Sequence, residues 1–174
     1  KSFHADQFDY ETMSEDLKIF LDEKKIQKVS LIGHSMGGKT IMNFILNYPS
    51  YANKVIVVDI LPKAYNNDYE KIFNAFSKMD LNNLKSRKQI DEYFSGFFSD
   101  YTFVSLLSKN INRDSNGNFK IKFNLNSIRS NISKITSAIK IDRVFNEDIL
   151  FMKGEYSNYI DNQGLFEAKK SFPK

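Results

Sequence analysis

The apolar run Lys28-Val29-Ser30-Leu31-Ile32 is cut off by Gly33-His34-Ser35-Met36-Gly37-Gly38, and a helical pattern resumes directly behind it. Three glycines in six residues between a buried strand and a helix predict a sharp strand-to-helix turn. The flanks agree with that reading. From Asp9 to Lys25 the spacing is helical, with Met13, Leu17, Phe20 and Leu21 on one stripe and Thr12-Met13-Ser14-Glu15 placed to form a capping box. Behind the turn, Ile41, Met42, Ile45 and Leu46 make one apolar face of a helix that ends before Pro49, and Lys54–Asp59 follows as a second near-continuous apolar strand. Helix, strand, helix and strand in this order predict an α/β fold, a mostly parallel sheet with covering helices.

Beyond Pro62 the character changes. Residues 66–113 hold helical fragments, Tyr69-Ile72-Phe73-Phe76 and Ile90-Tyr93-Phe94-Phe97 among them, and no sheet strand is expected there. Asp114-Ser115-Asn116-Gly117 reads as a turn, Phe119–Phe123 alternates like a half-exposed strand, and Leu125–Ile141 returns to helical spacing. Asp148–Gly154 is the third core-strand candidate, and a last helix is expected over Gly164–Ser171. This divides the chain into a core carrying the turn over 1–62, an inserted helical cap over 63–117, and the end of the cap with the return to the core over 118–174.

Composition narrows the functional classes. At 174 residues, 41% hydrophobic and 26% charged, the chain is of ordinary globular make-up, one domain or a piece of one. No apolar run approaches the ~20 residues of a membrane-spanning helix, and no secretory leader pattern opens the chain. The net charge of +4 is spread along the sequence, so a nucleic-acid partner is not expected. With no cysteine, disulfides and thiolate metal sites are excluded, and an intracellular setting, cytoplasmic or mitochondrial, is expected.

The turn also carries the chemistry. Gly33-His34-Ser35-Met36-Gly37 fits G-x-S-x-G, in which Gly33 and Gly37 let strand and helix approach the serine without collision. Ser35 then sits strained and exposed, a nucleophile, and the Met36 N–H at the helix start is placed to stabilise an oxyanion. The same stretch fits a rival pattern: Gly33 to Thr40 reads G-x-x-x-x-G-K-[ST], a phosphate-binding loop, and Val55–Asp59 resembles its magnesium-holding strand. Against that rival, Lys39 reads equally well as a solvated helix residue, and no arginine finger or base-recognition segment follows Asp59. A non-catalytic module and a P-loop NTPase remain the alternatives to a hydrolase. The only histidines are His4, expected in a solvated early loop, and His34, expected to pack rather than to act as a base. No metal or organic cofactor is called for.

Leu31 to Lys39, then Pro49, then Lys54-Val55-Ile56-Val57-Val58-Asp59-Ile60-Leu61-Pro62, resembles the α/β-hydrolase fold. The lysine after the double glycine and the V-D-I-x-P block resemble in particular its branch of YbfF-type esterases and eukaryotic α/β-hydrolase domain-containing protein eleven. Leu150–Ile160 is similar to that branch's next strand, where Gly-x-x-Ser-x-Tyr recurs. The resemblance implies a serine esterase or thioesterase acting on small to medium acyl esters, with Ser35 as nucleophile, the Met36 amide as half of an oxyanion hole and Asp59 as the triad acid. Asp161 is the acid by the general pattern of the fold, and a third position used by relatives falls on Asn126, whose amide cannot hold a histidine's charge. The fold's histidine lies in a Gly-His block near the C-terminus, and its second oxyanion donor lies in an early His-Gly loop. The resemblance therefore implies that these residues are the central portion of a larger hydrolase, without its first strands and its last strand, and catalytically crippled alone. The cap aromatics Phe73, Phe76, Phe94, Phe97, Phe98 and Phe103 are candidates for an acyl pocket above Ser35 or for packing within the cap.

Overall fold

In the computed structural model, which describes residues 5–66 and 68–174, the first helix is started by Asp9 rather than by Thr12. The Asp9 carboxylate accepts from Thr12 N–H at 2.9 Å and from the Thr12 hydroxyl at 2.6 Å. A carboxylate suits the positive end of the helix dipole, so it displaces the expected capping box by one turn. Helix α1 then runs Tyr10–Glu23 and buries Tyr10, Ser14 and Leu21, with Met13 and Leu17 packed beside them. Phe20, expected on that stripe, is 51% exposed because the buried line drifts toward Tyr10.

Strand β1 (Val29–His34), helix α2 (Met36–Asn47), a 3-10 turn over Pro49–Tyr51 and strand β2 (Ala52–Val58) follow. Much later the chain adds strand β5 (Ile149–Met152) and helix α7 (Asn162–Ala168). The sheet is parallel in the order β1-β2-β5, with Leu31 opposite Val55 and Val55 opposite Ile149. Val55 and Val57 point into a core with Met42, Phe44 and Ile45 of α2, all essentially inaccessible. Burying each such side chain is worth about 1.5–3 kcal/mol. Residues 41–46 are buried without a break, so the middle of α2 is enclosed beyond the expected apolar face, while Met36 and Asn47 at its ends are exposed. The opposite face of the sheet carries Ile32, 72% exposed, and Leu150, 54% exposed.

Two compact units divide the fold, one from Gln7–Asn66 with Asn131–Lys174, the other built around residues 68–130. The second unit holds α3 (Glu70–Ser77), α4 (Arg87–Ser95), α5 (Tyr101–Ser108), strands β3 (Ile111–Arg113) and β4 (Phe119–Ile121), and the start of α6 (Leu125–Thr136). Ser86 and Gln89 form a reciprocal capping box on α4, and the Asp100 side chain caps α5. Strand β3 was not expected; it pairs antiparallel with β4, Ile111 opposite Ile121, around the expected turn. There Gly117 takes φ +83° and the Asp114 carboxylate accepts from the amides of Asn116 and Asn118. Three residues are too few to show a period of two, which is why the sequence hides this strand. Phe76, Phe94, Phe97, Phe98 and Phe103 pack on one another and on Phe123, with Phe76 and Phe94 rings 5.0 Å apart. These rings form the unit's own core.

Helix α6 stops at Thr136, five residues before the expected Ile141, where the backbone of residues 136–139 pairs with other segments instead of continuing the helix. Thr136 O accepts from Tyr65 N–H at 2.8 Å and Ser137 O from Lys39 Nζ at 2.6 Å, while Ile139 N–H donates to Pro62 O at 3.0 Å. Helix α7 begins at Asn162, two residues before the expected Gly164, because Asp161 caps it by accepting from Gly164 N–H. No helix among the described residues is long and apolar enough to cross a membrane.

Candidate active site

Ser35 is the residue at which β1 becomes α2. Its backbone takes φ 51° and ψ −121°, a conformation that L residues hold only where their surroundings impose it. Ser35 N–H donates to Val58 O and Ser35 O accepts from Lys39 N–H, both at 3.1 Å. Strand and helix approach so closely that a Cβ on Gly33 would lie 2.5 Å from Gly37 O. The collision expected at Gly37 falls instead on Gly38, where a Cβ would lie 2.5 Å from Ile60 Cγ2; one on Gly37 meets nothing within 4 Å. Gly38 is the glycine that faces Val57 of the sheet, and Gly37 faces away from it.

Serine at a helix start ordinarily commits its hydroxyl to an amide of the first turn. Ser35 occupies that position and makes no such bond. It is half-buried, beside the positive end of the α2 dipole. Met36 is the first residue of α2, so its N–H has no acceptor within the helix.

Asp59 repeats this arrangement one strand over. It is the first residue after β2, has φ 54°, and donates its N–H to Met152 O at 2.7 Å, as Ser35 does to Val58 O. Asp59 Oδ1 accepts from Gly154 N–H at 3.2 Å, and the carboxylate keeps further acceptor capacity. Parallel pairing of His34 with Val58 and of Val58 with Met152 brings Ser35 and Asp59 to the carboxyl ends of adjacent strands. Open α/β sheets place their ligands at such ends.

The other candidates are placed elsewhere. Asp161 is tied to the first turn of α7 and to Lys63, whose ammonium holds the carboxyl below its usual range. Asn126 lies on α6 in the unit around residues 68–130. His34 is exposed and leaves β1 from the face opposite Leu31, so it is not the packing residue expected; that face is open. His4 lies outside the described residues. Among those described, no cluster of three or more His, Asp or Glu side chains is set to hold a metal.

Lys39 is the largest departure from the sequence reading. Far from being solvated, it is 1% exposed. Its ammonium donates to Ser137 O and lies 5.4 Å from the Tyr10 ring centre and 5.0 Å from that of Tyr65. Burial brings its pKa down to about 8. Pointing into the core, it cannot reach a phosphate lying over the Gly33–Thr40 turn, and the P-loop alternative is discarded. Gly38, Tyr65 and Gly154 are site residues that the sequence reading did not assign. For Gly38 the double glycine was a visible signal, for Gly154 the Gly-x-x-Ser-x-Tyr pattern, and for Tyr65 there was none.

A family model described as the alpha/beta hydrolase fold matches residues 1–174. The chain is 31% identical over 173 residues to a putative esterase/lipase of Haemophilus influenzae, covering 99% of this chain and 59% of that relative. It is 28% identical over 179 residues to the sn-1-specific diacylglycerol lipase ABHD11 of Danio rerio, covering 99% and 56%. It thus spans between half and two thirds of the length of these relatives. A marine microorganism esterase of solved structure matches with a TM-score of 0.94 and 38% identity, covering 99% of this chain and 69% of that one. A serine turn between parallel strands, a backbone shared with an esterase and a family match along its whole length place this chain in the α/β-hydrolase family.

Proposed function

We infer that the natural protein is a serine hydrolase that cleaves small to medium acyl esters or thioesters through an acyl-Ser35 intermediate. The observation that carries this reading is the Ser35 backbone, held at positive φ with its hydroxyl uncommitted at the start of α2. In the first step Ser35 Oγ attacks the substrate carbonyl and its proton passes to a histidine. The Met36 N–H donates to the oxyanion, and collapse expels the alcohol or thiol. Asp59 orients that histidine and balances its charge. Neither His34, on the opposite face of β1, nor His4 is assigned this role; the base is a histidine outside these 174 residues. Water then takes the acyl group. The names of the relatives, an esterase/lipase and a diacylglycerol lipase, favour oxygen esters over thioesters.

The test is covalent labelling of the natural protein with a fluorophosphonate, read by intact mass and peptide mapping, alongside turnover of p-nitrophenyl esters of increasing acyl length. One adduct on Ser35 is expected, with turnover lost by at least about 10³-fold in Ser35→Ala. A folded protein that takes no adduct and turns over no ester would be a non-catalytic module of the same fold.

A further inference from the structure

Asp59 cannot hold its backbone by itself. A non-glycine residue at φ 54° is in a sparsely populated region and stays there when its neighbours hold it. On one side Gly154 N–H binds its carboxylate. On the other, Leu61 N–H, two residues on, donates to the Tyr65 hydroxyl at 2.9 Å, and that hydroxyl donates to Tyr159 O at 2.8 Å. Burial pushes the Tyr65 phenol up, so it keeps its proton and remains a donor. The Tyr65 ring is therefore the handle by which the segment after Asp59 is held.

Three groups meet that ring: the Lys63 ammonium 5.4 Å from its centre, the Tyr159 ring at 5.2 Å and, from α2, the buried ammonium of Lys39. The Lys39 backbone N–H is bonded to Ser35 O, so this lysine stands one helical turn behind the nucleophile. Its ammonium sits among three segments remote in sequence: the Tyr10 ring on α1, the Tyr65 ring after β2 and the Ser137 carbonyl after α6. Tyr10 is fixed in turn by its hydroxyl, which donates to Ile135 O at 2.7 Å. An apolar side chain of equal length fills the space but cannot satisfy a carbonyl and two ring faces together.

We propose that Lys39 is a positioning residue for the triad carboxylate, acting through Tyr65 to keep Asp59 in register with Ser35. The inference rests on the serine-hydrolase reading. It accounts for a buried lysine that has no carboxylate beside it among the described residues and no direct part in acyl transfer.

The test is a double-variant cycle in the natural protein, with turnover normalised to the sites that a fluorophosphonate titrates, so that unfolded molecules do not count. Lys39→Met is expected to lower kcat on the order of 10- to 100-fold with KM within about twofold, the cost of a misplaced rather than a missing group. Combined with Asp59→Asn it should cost no more than Asp59→Asn alone, because the lysine then has nothing left to position. Tyr65→Phe, which keeps the ring and removes the hydroxyl link, provides the same comparison should Lys39→Met not fold. Wild-type turnover per titrated site in both variants, or losses that multiply with that of Asp59→Asn, would overturn the proposal. An Asp59→Asn variant with full turnover removes the carboxylate assignment and the proposal together, while probe labelling of Ser35 stays intact. If the wild-type protein takes no probe at Ser35, the hydrolase reading fails first and this inference falls with it.

Discussion

At the turn, two glycines that the G-x-S-x-G pattern treats alike are physically different. A methyl group on Gly33 meets the Gly37 carbonyl at 2.5 Å, a backbone atom that cannot swing aside, whereas a methyl on Gly37 meets open space. Gly33→Ala is expected to destabilise the protein by more than about 3 kcal/mol. Gly37→Ala, inside a helix and unobstructed, should be neutral or stabilising by up to about 1 kcal/mol. Urea unfolding of the two variants checks this, and equal destabilisation would refute the distinction. Much of the candidate site is legible from single residues: Ser35, Met36, Gly33 and Asp59 are all marked by the two apolar strands that end at them. The roles of Gly38 and Lys39 are not. Which of two glycines faces the sheet depends on helix phase, and a lysine in a one-dimensional pattern reads as polar whether its ammonium meets water or two tyrosine rings.

Among the elements, α1 offers the clearest energetic test, because its start depends on one carboxylate. Thr12, foremost, and then Gln7 and Lys134 hold Asp9 from an ordinary 3.8 down to about 2 against the opposing effect of burial. A folded-state value below the unfolded one means that the native state favours the charged form. The contribution is complete above about pH 4 and is lost as pH falls toward 2. Asp9→Ala should cost about 1 kcal/mol at neutral pH. In thermal melts its difference from wild type should close between pH 4 and 2, and a difference unchanged at pH 2 would mean that the carboxylate's charge is irrelevant. The long elements α1, β1, α2, β2 and β5 are readable because each sustains an apolar pattern over several residues. Strand β3 is too short for one, and the end of α6 is set by Tyr65 and Lys39, about 70 and nearly 100 residues away, which no local spacing can report.

On the scale of the whole chain, the sheet is interrupted between β2 and β5 by the unit around residues 68–130. The chain leaves the core and returns to it at one place, where Tyr65 N–H meets Thr136 O and Ile139 N–H meets Pro62 O. Closing a flexible loop costs only about 0.6 kcal/mol more per doubling of its length, so the core is nearly indifferent to how much chain lies beyond that point. Replacing 68–130 by a short Gly/Ser linker in the natural protein is expected to leave a cooperative thermal melt. A variant that melts gradually would show that the core needs the insertion to fold. The paired backbone at 62–65 and 136–139 thus works as a collar, a fixed socket of main-chain bonds that places few sequence demands on what is fitted into it. A lineage built on such a collar can exchange the inserted unit whole, leaving the serine and the aspartate at their strand ends untouched.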